Sequence, residues 1–412
     1  MFIIQRSFPF LGILSFYCGM FFLPSLASAE DVESLIQKLN SPQRSERVNA
    51  EKSLIASGKK GLKEIEKQIE LESEFSFQLQ KIADTIRDNI ASDSLLGTRI
   101  SIGGNQSFTM QQMVEGIVEQ TDFQVRVVDE FKQTPVTIPA QEIPFWKGID
   151  LLGKEVGIGW QVQNKEIIFD PTFELLTGAT TYPKSLRVEA VESRLKQSLL
   201  RINFRVDVEP EITPYFLKIR DQDFRLIDKV SSPMNLIPPF NRDAVREITV
   251  SDQSGFKFYV DFKSDDVIDT NSLTLNGKVE IVCAAQVREA TSSLDNDEQI
   301  DPQVAVLKYE QTRNLLKLLA RVKLPEELAS FDSHRITLLH NEVWLSLKED
   351  QRIAPVSKRI VQSVGGIHDV EFIFKVDEKL TPDVRFIYAY PNNVTTLSAD
   401  FEVHGIAYNP AQ

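Results

Sequence analysis

Apolar and polar residues alternate through most of the chain between residues 183 and 410. Side chains of a strand point to opposite faces in turn, so a period of two predicts β-strands with one buried face. We expect turns at Ser254-Gly255, Asn276-Gly277, Gly365-Gly366 and Pro391-Asn392. About eleven strands are expected in the segments LRVEAV, INFRVDVE, FRLID, EITV, FKFYVDF, LTLNGKVEIV, RITLL, EVWLSL, VEFIFKV, RFIYAY and FEVHGI.

An acidic run, residues 292–302, interrupts this pattern and predicts a linker. It would separate two mostly antiparallel, β-sandwich-like regions, residues 183–291 and 303–412. The segment LKYEQTRNLLKLLARVKL that follows the run is the ambiguous part. Its propensity favours a helix, and the alternative is a strand of the second region.

The N-terminal part has a helical period. In residues 30–93, Val32, Leu35, Ile36 and Leu39 fall on one helix face, and Gly58 follows a second amphipathic run as a C-terminal cap. Residues 97–171 then alternate short strands with two amphipathic helices, one led by Thr109 and one starting near Pro144. The expected order of this module is β-α-β-β-α-β, the split βαβ arrangement. The fold class is therefore multidomain α+β.

Two regions resemble known families. The order Ser41-Pro42, Arg47, Ala50, Leu54 and Gly58 resembles a HEAT repeat, which implies a short helical docking arm. The module resembles the short N-terminal domain of secretins and TonB-dependent receptors through Val136-Thr137-Ile138, Ile143 to Trp146, Ile149, Leu151-Leu152, Gly157 and Ile167 to Phe169. No secretin pore region follows. The layout as a whole is similar to exported bacterial HEAT-repeat-containing proteins of unassigned function.

Residues 1–29 have the pattern of a secretory signal peptide. Arg6 is their only charged residue, Phe8 to Leu23 is mostly apolar, and Ala27-Ser28-Ala29 is a cleavage site. The alternative is an uncleaved membrane anchor. We expect an exported protein, periplasmic or extracellular, without a transmembrane segment after cleavage.

Net charge and cysteine content narrow the function classes. The formal net charge of −13 disfavours nucleic-acid binding, because the chain repels phosphate backbones. Beyond the signal peptide only Cys283 remains, in a strand-like run, so no internal disulfide can form. We expect Cys283 to be a small buried hydrophobe rather than a reactive thiol.

The motifs that could carry chemistry are incomplete. Gly157-Ile158-Gly159-Trp160 follows a helix, whereas a dinucleotide fingerprint precedes one, so Gly157 is expected to be a helix cap. Asp265-Asp266-Val267-Ile268-Asp269 lies between strand-like runs and predicts a solvated loop. The run Asp295, Asp297, Asp301 lacks the Gly and Glu of an EF-hand loop. The four histidines, His334, His340, His368 and His404, fit no zinc motif.

We therefore predict no catalytic residue, no metal site and no cofactor. The function that the sequence favours is an exported, non-catalytic binding or scaffolding protein that acts through protein–protein contacts in the bacterial cell envelope. The first alternative is a polysaccharide-binding protein with exposed aromatic residues on a β face, with Trp344, Tyr388 and Tyr390 as candidates. The second alternative is a hydrolase with a dispersed active site.

Overall fold

The computed structural model describes an α+β protein with N-terminal helices and several antiparallel sheets. The chain divides into two compact units, Met1–Ile86 and Arg87–Gln412. The signal-peptide prediction, the motif at 265–269, Asp295, Asp297, Asp301, His334 and His340 all lie outside the described residues. The described residues are 32–70, 76–104, 106–163, 165–196, 199–227, 235–236, 244–251, 255–263, 273–294, 303–323, 338–339, 341–348, 351–376, 384–407 and 409–410.

Residues 32–96 are mostly helical where the structure describes them, with a break at residues 39–43. Leu35, Ile36 and Leu39 are buried on one face of the first helix and its end, as the period predicts. Gly58 has φ of +59° directly after the second helix, the left-handed conformation that suits a cap. In the described part of the chain no helix is long and apolar enough to cross a membrane. The helices are α1 (Val32–Lys38), α2 (Arg44–Ala56), α3 (Gly58–Glu70) and α4 (Ser76–Leu96).

The next segment contains the two predicted helices between short strands. Its strands and helices are β1 (Arg99–Ile102), β2 (Phe108–Thr109), α5 (Met110–Thr121), β3 (Val125–Val127), β4 (Pro135–Val136), β5 (Gln141–Pro144), α6 (Phe145–Val156), β6 (Gly159–Gln163) and β7 (Glu166–Asp170). Strand β3 pairs in parallel with β7, and β6 pairs antiparallel with β7. Strands β1 and β5 form one antiparallel pair, and β2 and β4 form another.

Local sequence signals set the ends of both helices. The Thr109 hydroxyl accepts from the Gln112 amide, and the Gln112 side chain accepts from the Thr109 amide, which is a capping box. Helix α6 ends at Gly157, whose φ of +76° and hydrogen bond to the Gly153 carbonyl confirm the predicted cap. The G-x-G-W stretch is therefore a helix end followed by a strand.

Aromatic rings fill the core of this module. Phe145 and Trp146 are both buried, and Trp146 stacks on Trp160 with ring centroids 5.1 Å apart. Phe123 meets Phe145 edge to face at 4.8 Å. Neither residue at the start of α6 is available to a ligand at the surface.

The rest of the chain forms sheets. The first strands are β8 (Ala179–Thr181), β9 (Leu186–Lys196), β10 (Leu199–Val208), β11 (Thr213–Arg220), β12 (Arg225–Ile227), β13 (Asn235–Leu236), β14 (Val245–Thr249), β15 (Gly255–Lys263) and β16 (Leu273–Ser293). The remaining strands are β17 (Val304–Thr312), β18 (Leu315–Lys323), β19 (Val343–Lys348), β20 (Gln351–Ile353), β21 (Pro355–Val364), β22 (Ile367–Lys375), β23 (Arg385–Ile406) and β24 (Asn409–Pro410).

Three sheets account for these strands. One has the order β13-β15-β10-β9-β24, with β8 also on β9; a second has the order β14-β11-β16-β23-β19-β20, with β12 also on β16; the third has the order β17-β18-β22-β21. Strands β16 and β23 pair along their whole lengths, from Leu273–Ile406 to Ser293–Arg385. This pair is the central feature of the β region.

Two hydrophobic cores lie on opposite faces of the sheet that contains β16 and β23. Ile281 and Cys283 pack in the core shared with the β9–β10 sheet, which we call the first core. Val282 and Ala284 pack in the core shared with the β17–β22 sheet, which we call the second core. Successive side chains of a strand face opposite ways, so one strand serves both cores. Strand β16 continues through Ser293, and β23 contributes to both cores. The rest of the predicted linker, residues 295–302, lies outside the described residues, so the linker stays a prediction.

Two predicted turns lie inside these long strands. Asn276-Gly277 belongs to β16 and Pro391-Asn392 belongs to β23. A Cβ at Gly277 would lie 2.6 Å from the Phe401 ring and 3.0 Å from the Phe224 ring. Gly277 thus makes room for aromatic packing rather than a turn. The predicted turn at Gly365-Gly366 is present, with φ of +56° and +79° between β21 and β22.

The predicted helix in LKYEQTRNLLKLLARVKL is also wrong, and its strand alternative is correct. The segment is the hairpin of β17 and β18, which turns at Arg313 and Asn314. Leu316, Leu318, Ala320 and Val322 alternate on the buried face of β18. Pairing with β22 over nine residues outweighs the helical propensity of the leucines.

Candidate binding surface

Strand β21 is an edge of the four-stranded sheet. It pairs with β22 on one side, and no strand in the described part of the chain pairs with its other side. Val356, Val361 and Val364 are 65%, 54% and 64% exposed, and Ile367 beyond the turn is 42% exposed. Twelve large hydrophobic residues are exposed within the described ranges, and six of them belong to this one sheet, with Tyr309 and Leu315 as the other two. Such clustering marks an interaction surface more often than isolated exposure does.

Two of the exposed valines, Val356 and Val361, lie at β-bulges. The register with β22 shifts between Pro355 and Ser357 and again between Ile360 and Gln362. Val356 and Val361 are the extra residues at these shifts, so neither has a partner directly opposite on β22. The bulges also break the alternation of PVSKRIVQSV, and for that reason the sequence did not predict this strand.

The outer face of the same sheet carries an excess of positive charge. Residues opposite one another in the ladder share a face of the sheet. Lys317 lies opposite Ile373 and Arg321 lies opposite Asp369, so these side chains all lie on the outer face. The buried residues that alternate with them along β18 and β22 face the second core. The charged residues of the outer face are Lys308, Lys317, Arg321, Lys323, Arg359 and Lys375 with Glu310, Asp369 and Glu371.

Ion pairs neutralise only part of this face. Arg321 binds both carboxylate oxygens of Asp369, at 2.8 and 3.0 Å, and Arg359 contacts Glu371 at 3.0 Å. The hydrogen bond from Arg321 holds the pKa of Asp369 below its usual range. The ammonium groups of the four lysines contact no carboxylate among the residues that the structure describes. The face has six cations against three anions in a chain of net charge −13.

A second polar cluster is fully buried and joins the α/β module to the first β core. Arg187 on β9 donates to Asp150 on α6 at 2.8 Å, to Glu189 at 2.8 Å and to Asp207 on β10 at 3.2 Å. Burial alone would lower the pKa of Arg187, and the three carboxylates around it raise the pKa instead. Arg205 pairs with the other oxygen of Asp207 at 2.8 Å. The charged side chains of this cluster are thus paired with one another.

Neutral donors complete the contacts of Asp150. The Trp160 indole donates to it at 3.0 Å and the Tyr182 hydroxyl at 2.8 Å. Burial and the neighbouring Asp150 raise the pKa of Tyr182 well above its usual value. These contacts therefore fix α6 against β9.

Glu209 forms a separate buried contact at the end of β10. Its carboxylate accepts from the Thr98 amide at 3.0 Å and from the Thr98 hydroxyl at 2.7 Å. Burial raises the pKa of Glu209 to about 7, against the opposing effect of the Thr98 hydrogen bonds. This carboxyl changes charge near neutral pH.

A cavity of about 390 Å³ opens beside the start of β11. Its lining includes Lys165, Tyr215, Val287 and Glu342. Tyr215 is buried, and burial raises the pKa of its hydroxyl well above the usual value. The lining brings no acid and base together at hydrogen-bonding distance in the described residues, so it gives no support for a catalytic site.

The three aromatic candidates do not form an exposed platform. Tyr388 is fully buried and accepts a hydrogen bond from Asn341 at 2.8 Å. Trp344 is 6% exposed, and Tyr390 is half-buried against the second core. Val343 lies opposite Tyr388, which places Trp344 on the other face of the sheet. The sequence predicted a stacking platform that uses Trp344, Tyr388 or Tyr390, and the structure gives it no support because two of the three rings are buried.

The remaining candidate residues are placed as follows. Cys283 is buried in the first core, as predicted, and burial raises its pKa to about 12. His368 is buried on the inner face of β22, and His404 is exposed beside Thr274. A search of the described residues finds no group of three or more His, Cys, Asp or Glu side chains that could hold a metal ion.

Comparisons with known proteins give no family. No family model matches the chain, and no curated protein matches it. The conserved domain protein from Bacillus anthracis is 9% identical, with a TM-score of 0.15 over 55% of this chain and 89% of that chain. The N-terminal periplasmic domain of ScsB from Proteus mirabilis is 10% identical, with a TM-score of 0.16 over 57% of this chain and 100% of that chain. Neither likeness is strong enough to carry an argument.

Proposed function

We propose that this is an exported, non-catalytic binding or scaffolding protein of the bacterial cell envelope that acts through protein–protein contacts. The observation that supports this proposal is the edge strand β21, with Val356, Val361 and Val364 more than half exposed. A free strand edge beside exposed aliphatic side chains offers both main-chain hydrogen bonds and apolar area to a partner. Export rests on the signal-peptide pattern of residues 1–29.

The other regions have supporting roles in this proposal. We propose that the HEAT-like helices α1–α4 form a second docking element, and that the secretin-like module is a rigid support rather than a ligand site. Burial of Phe145, Trp146 and Trp160 supports the second statement, because no aromatic residue of that set reaches the surface.

Neither alternative function has a specific observation in its favour. A polysaccharide site would need exposed aromatic rings, and Trp344 and Tyr388 are buried. A hydrolase would need a convergent set of reactive groups, and the charged groups around Arg187 are held in mutual contacts without an opening for substrate.

Affinity purification of the tagged protein from its native envelope tests the proposal. A variant with Val356→Ser, Val361→Ser and Val364→Ser removes the exposed apolar side chains without a change of charge, and it should lose a partner that the unchanged protein retains. The control is Val191→Ser, because Val191 is 50% exposed and is also the extra residue of a bulge, but on the interior strand β9. Equal recovery of every partner by the triple variant and the control would refute a role for β21.

A further inference from the structure

Charge is distributed unevenly over this protein. The chain has 59 acidic and 46 basic residues, yet the outer face of the β17-β18-β22-β21 sheet has twice as many cations as anions. Among the residues that the structure describes, no carboxylate contacts the ammonium groups of Lys308, Lys317, Lys323 and Lys375 on this face, and all four lysines are exposed. A concentrated positive face on an acidic protein attracts a complementary surface and orients it on approach.

The same face also has apolar contacts to offer. Leu315 and Ile367 lie on it and are 41% and 42% exposed, and Leu319 and Ile373 lie between the lysines and are partly exposed. Four strands about 4.8 Å apart and nine residues long give roughly 600 Å², somewhat less than the ~800 Å² per partner of a standard interface. The exposed edge of β21 continues this area, so the face suits a modest, reversible protein contact.

From this charge and shape we propose that the partner bound at this sheet is an acidic protein segment, whose carboxylates contact Lys317, Lys323 and Lys375 on the outer face. This inference rests on the proposed function, because it names the chemistry of the partner at the same site.

A second copy of this chain does not fit the face symmetrically. In a twofold contact the same surface patch meets itself, so lysines would face lysines. Like charges brought together in this way oppose association. The occupant is therefore a different protein rather than a symmetric second copy.

An extended polyanion also fits less well than an acidic protein segment. A membrane surface or a nucleic acid reaches past the face and meets the rest of a chain of net charge −13. At about 0.1 M salt, charges interact over roughly 10 Å, so those neighbouring acidic regions oppose binding. A short acidic segment is small enough to contact only the lysine face and avoids the neighbouring acidic regions.

Binding of a fluorescent oligoglutamate peptide to the intact protein tests the inference. The peptide is long enough, when extended, to span the face, and fluorescence anisotropy reports its binding. A variant with Lys317→Glu, Lys323→Glu and Lys375→Glu should bind at least about tenfold more weakly, since three attractive contacts become repulsive. The control variant carries Lys147→Glu, Lys154→Glu and Lys196→Glu, which changes the net charge equally at exposed lysines elsewhere.

Further arms keep the result interpretable. The triple Lys→Gln variant at residues 317, 323 and 375 should show an intermediate loss, and it replaces the Glu variant if that variant fails to fold. Binding should weaken with added salt. Equal weakening in the face and control variants, or stronger binding to phosphatidylglycerol vesicles than to the peptide, would overturn the inference.

The outcomes also separate this inference from the proposed function. The valine variant could lose an envelope partner while oligoglutamate binding does not depend on Lys317, Lys323 and Lys375. In that case β21 binds a partner, but the partner does not bind through acidic residues. If oligoglutamate binds through these lysines but recovery of every partner is independent of the valines, the preference for acidic segments is supported and the role of β21 is refuted.

Discussion

Arg187 on β9 donates a hydrogen bond to Asp150 on α6 at 2.8 Å, and both side chains are almost completely buried. The contact joins a helix of the α/β module to a strand of the first β core. Glu189 and Asp207 also accept from Arg187, so one guanidinium holds three carboxylates. The junction is thus fixed by charge as well as by packing.

Arg187→Ala should strongly destabilise the protein. Removal of the guanidinium leaves three buried carboxylates without their shared partner, and breaking such pairs typically costs about 3–5 kcal/mol. Urea denaturation followed by tryptophan fluorescence measures the loss, because Trp146 and Trp160 lie beside the cluster. Arg194→Ala, which removes an exposed pair with Glu192, is the control and should leave stability unchanged. A loss no larger than that of the control would contradict a structural role for the cluster.

Glu209 should make stability depend on pH between about 4.5 and 7. Its pKa of about 7 in the folded protein lies above the usual 4.5, so the folded state keeps a proton that the unfolded chain releases. The stabilisation is complete below pH 4.5 and is lost as the pH rises to about 7. The free energy of unfolding should fall by about 1.4 kcal/mol per pH unit in this window, roughly 3 kcal/mol in all.

Glu209→Gln is the control variant for this pH dependence, because the Gln side chain has the same shape as Glu and does not titrate. Denaturation of both proteins at pH 5 and pH 8 isolates the contribution of this one group. The difference between the two proteins should shrink or reverse as the pH rises. Parallel pH profiles would show that Glu209 is ionised at the same pH in the folded and unfolded states.

Cys283 should be unreactive in the native protein. Burial raises its pKa from 9.0 to about 12, which reduces the thiolate at a given pH about a thousandfold before steric exclusion is counted. A chain with Cys18→Ser leaves Cys283 as the only thiol. Ellman's reagent should react with it quickly in denaturant and negligibly without denaturant. Fast labelling of the native protein would mean that the first core opens readily.

Gly277→Ala should destabilise the protein, although alanine suits a strand better than glycine does. The new methyl group would lie 2.6 Å from the Phe401 ring and 3.0 Å from the Phe224 ring, and overpacking of this kind costs about 1–3 kcal/mol. Gly116→Ala on α5 is the matched control, with no atom within 4 Å of the added Cβ. It should stabilise by up to about 1 kcal/mol, because alanine favours a helix interior. Thermal denaturation compares the two, and equal effects would contradict close packing at Gly277.

Local signals predicted the parts of the fold that depend on neighbouring residues. The start of α5 at Thr109, the end of α6 at Gly157 and the turn at Gly365-Gly366 all follow from short stretches of sequence. The errors came from contacts made over long distances. The leucines of β18 suit a helix locally, and only the ladder with β22 makes them a strand.

Burial of charge on β9 could not be predicted for the same reason. In LRVEAV the charged positions look like a solvent-exposed face, yet Arg187 and Glu189 are buried. Asp150 of α6 contacts Arg187, and the Gly178 amide donates to Glu189. A period of two identifies the faces of a strand but not what covers each face. Strand β21 was missed as well, since bulges at Val356 and Val361 interrupt the alternation on which the prediction of a strand depends.

Site-specific photo-cross-linking at Val361 in the native organism tests the central claim most directly. A photoreactive residue there is exposed at an edge that no other strand of the described chain pairs with, and the same residue at Val191 is exposed at a bulge on an interior strand. We expect a discrete adduct with an envelope protein at position 361, weakened by Glu at residues 317, 323 and 375, and no such adduct at position 191. An absence of adducts at position 361, or identical adducts at both positions, would contradict it.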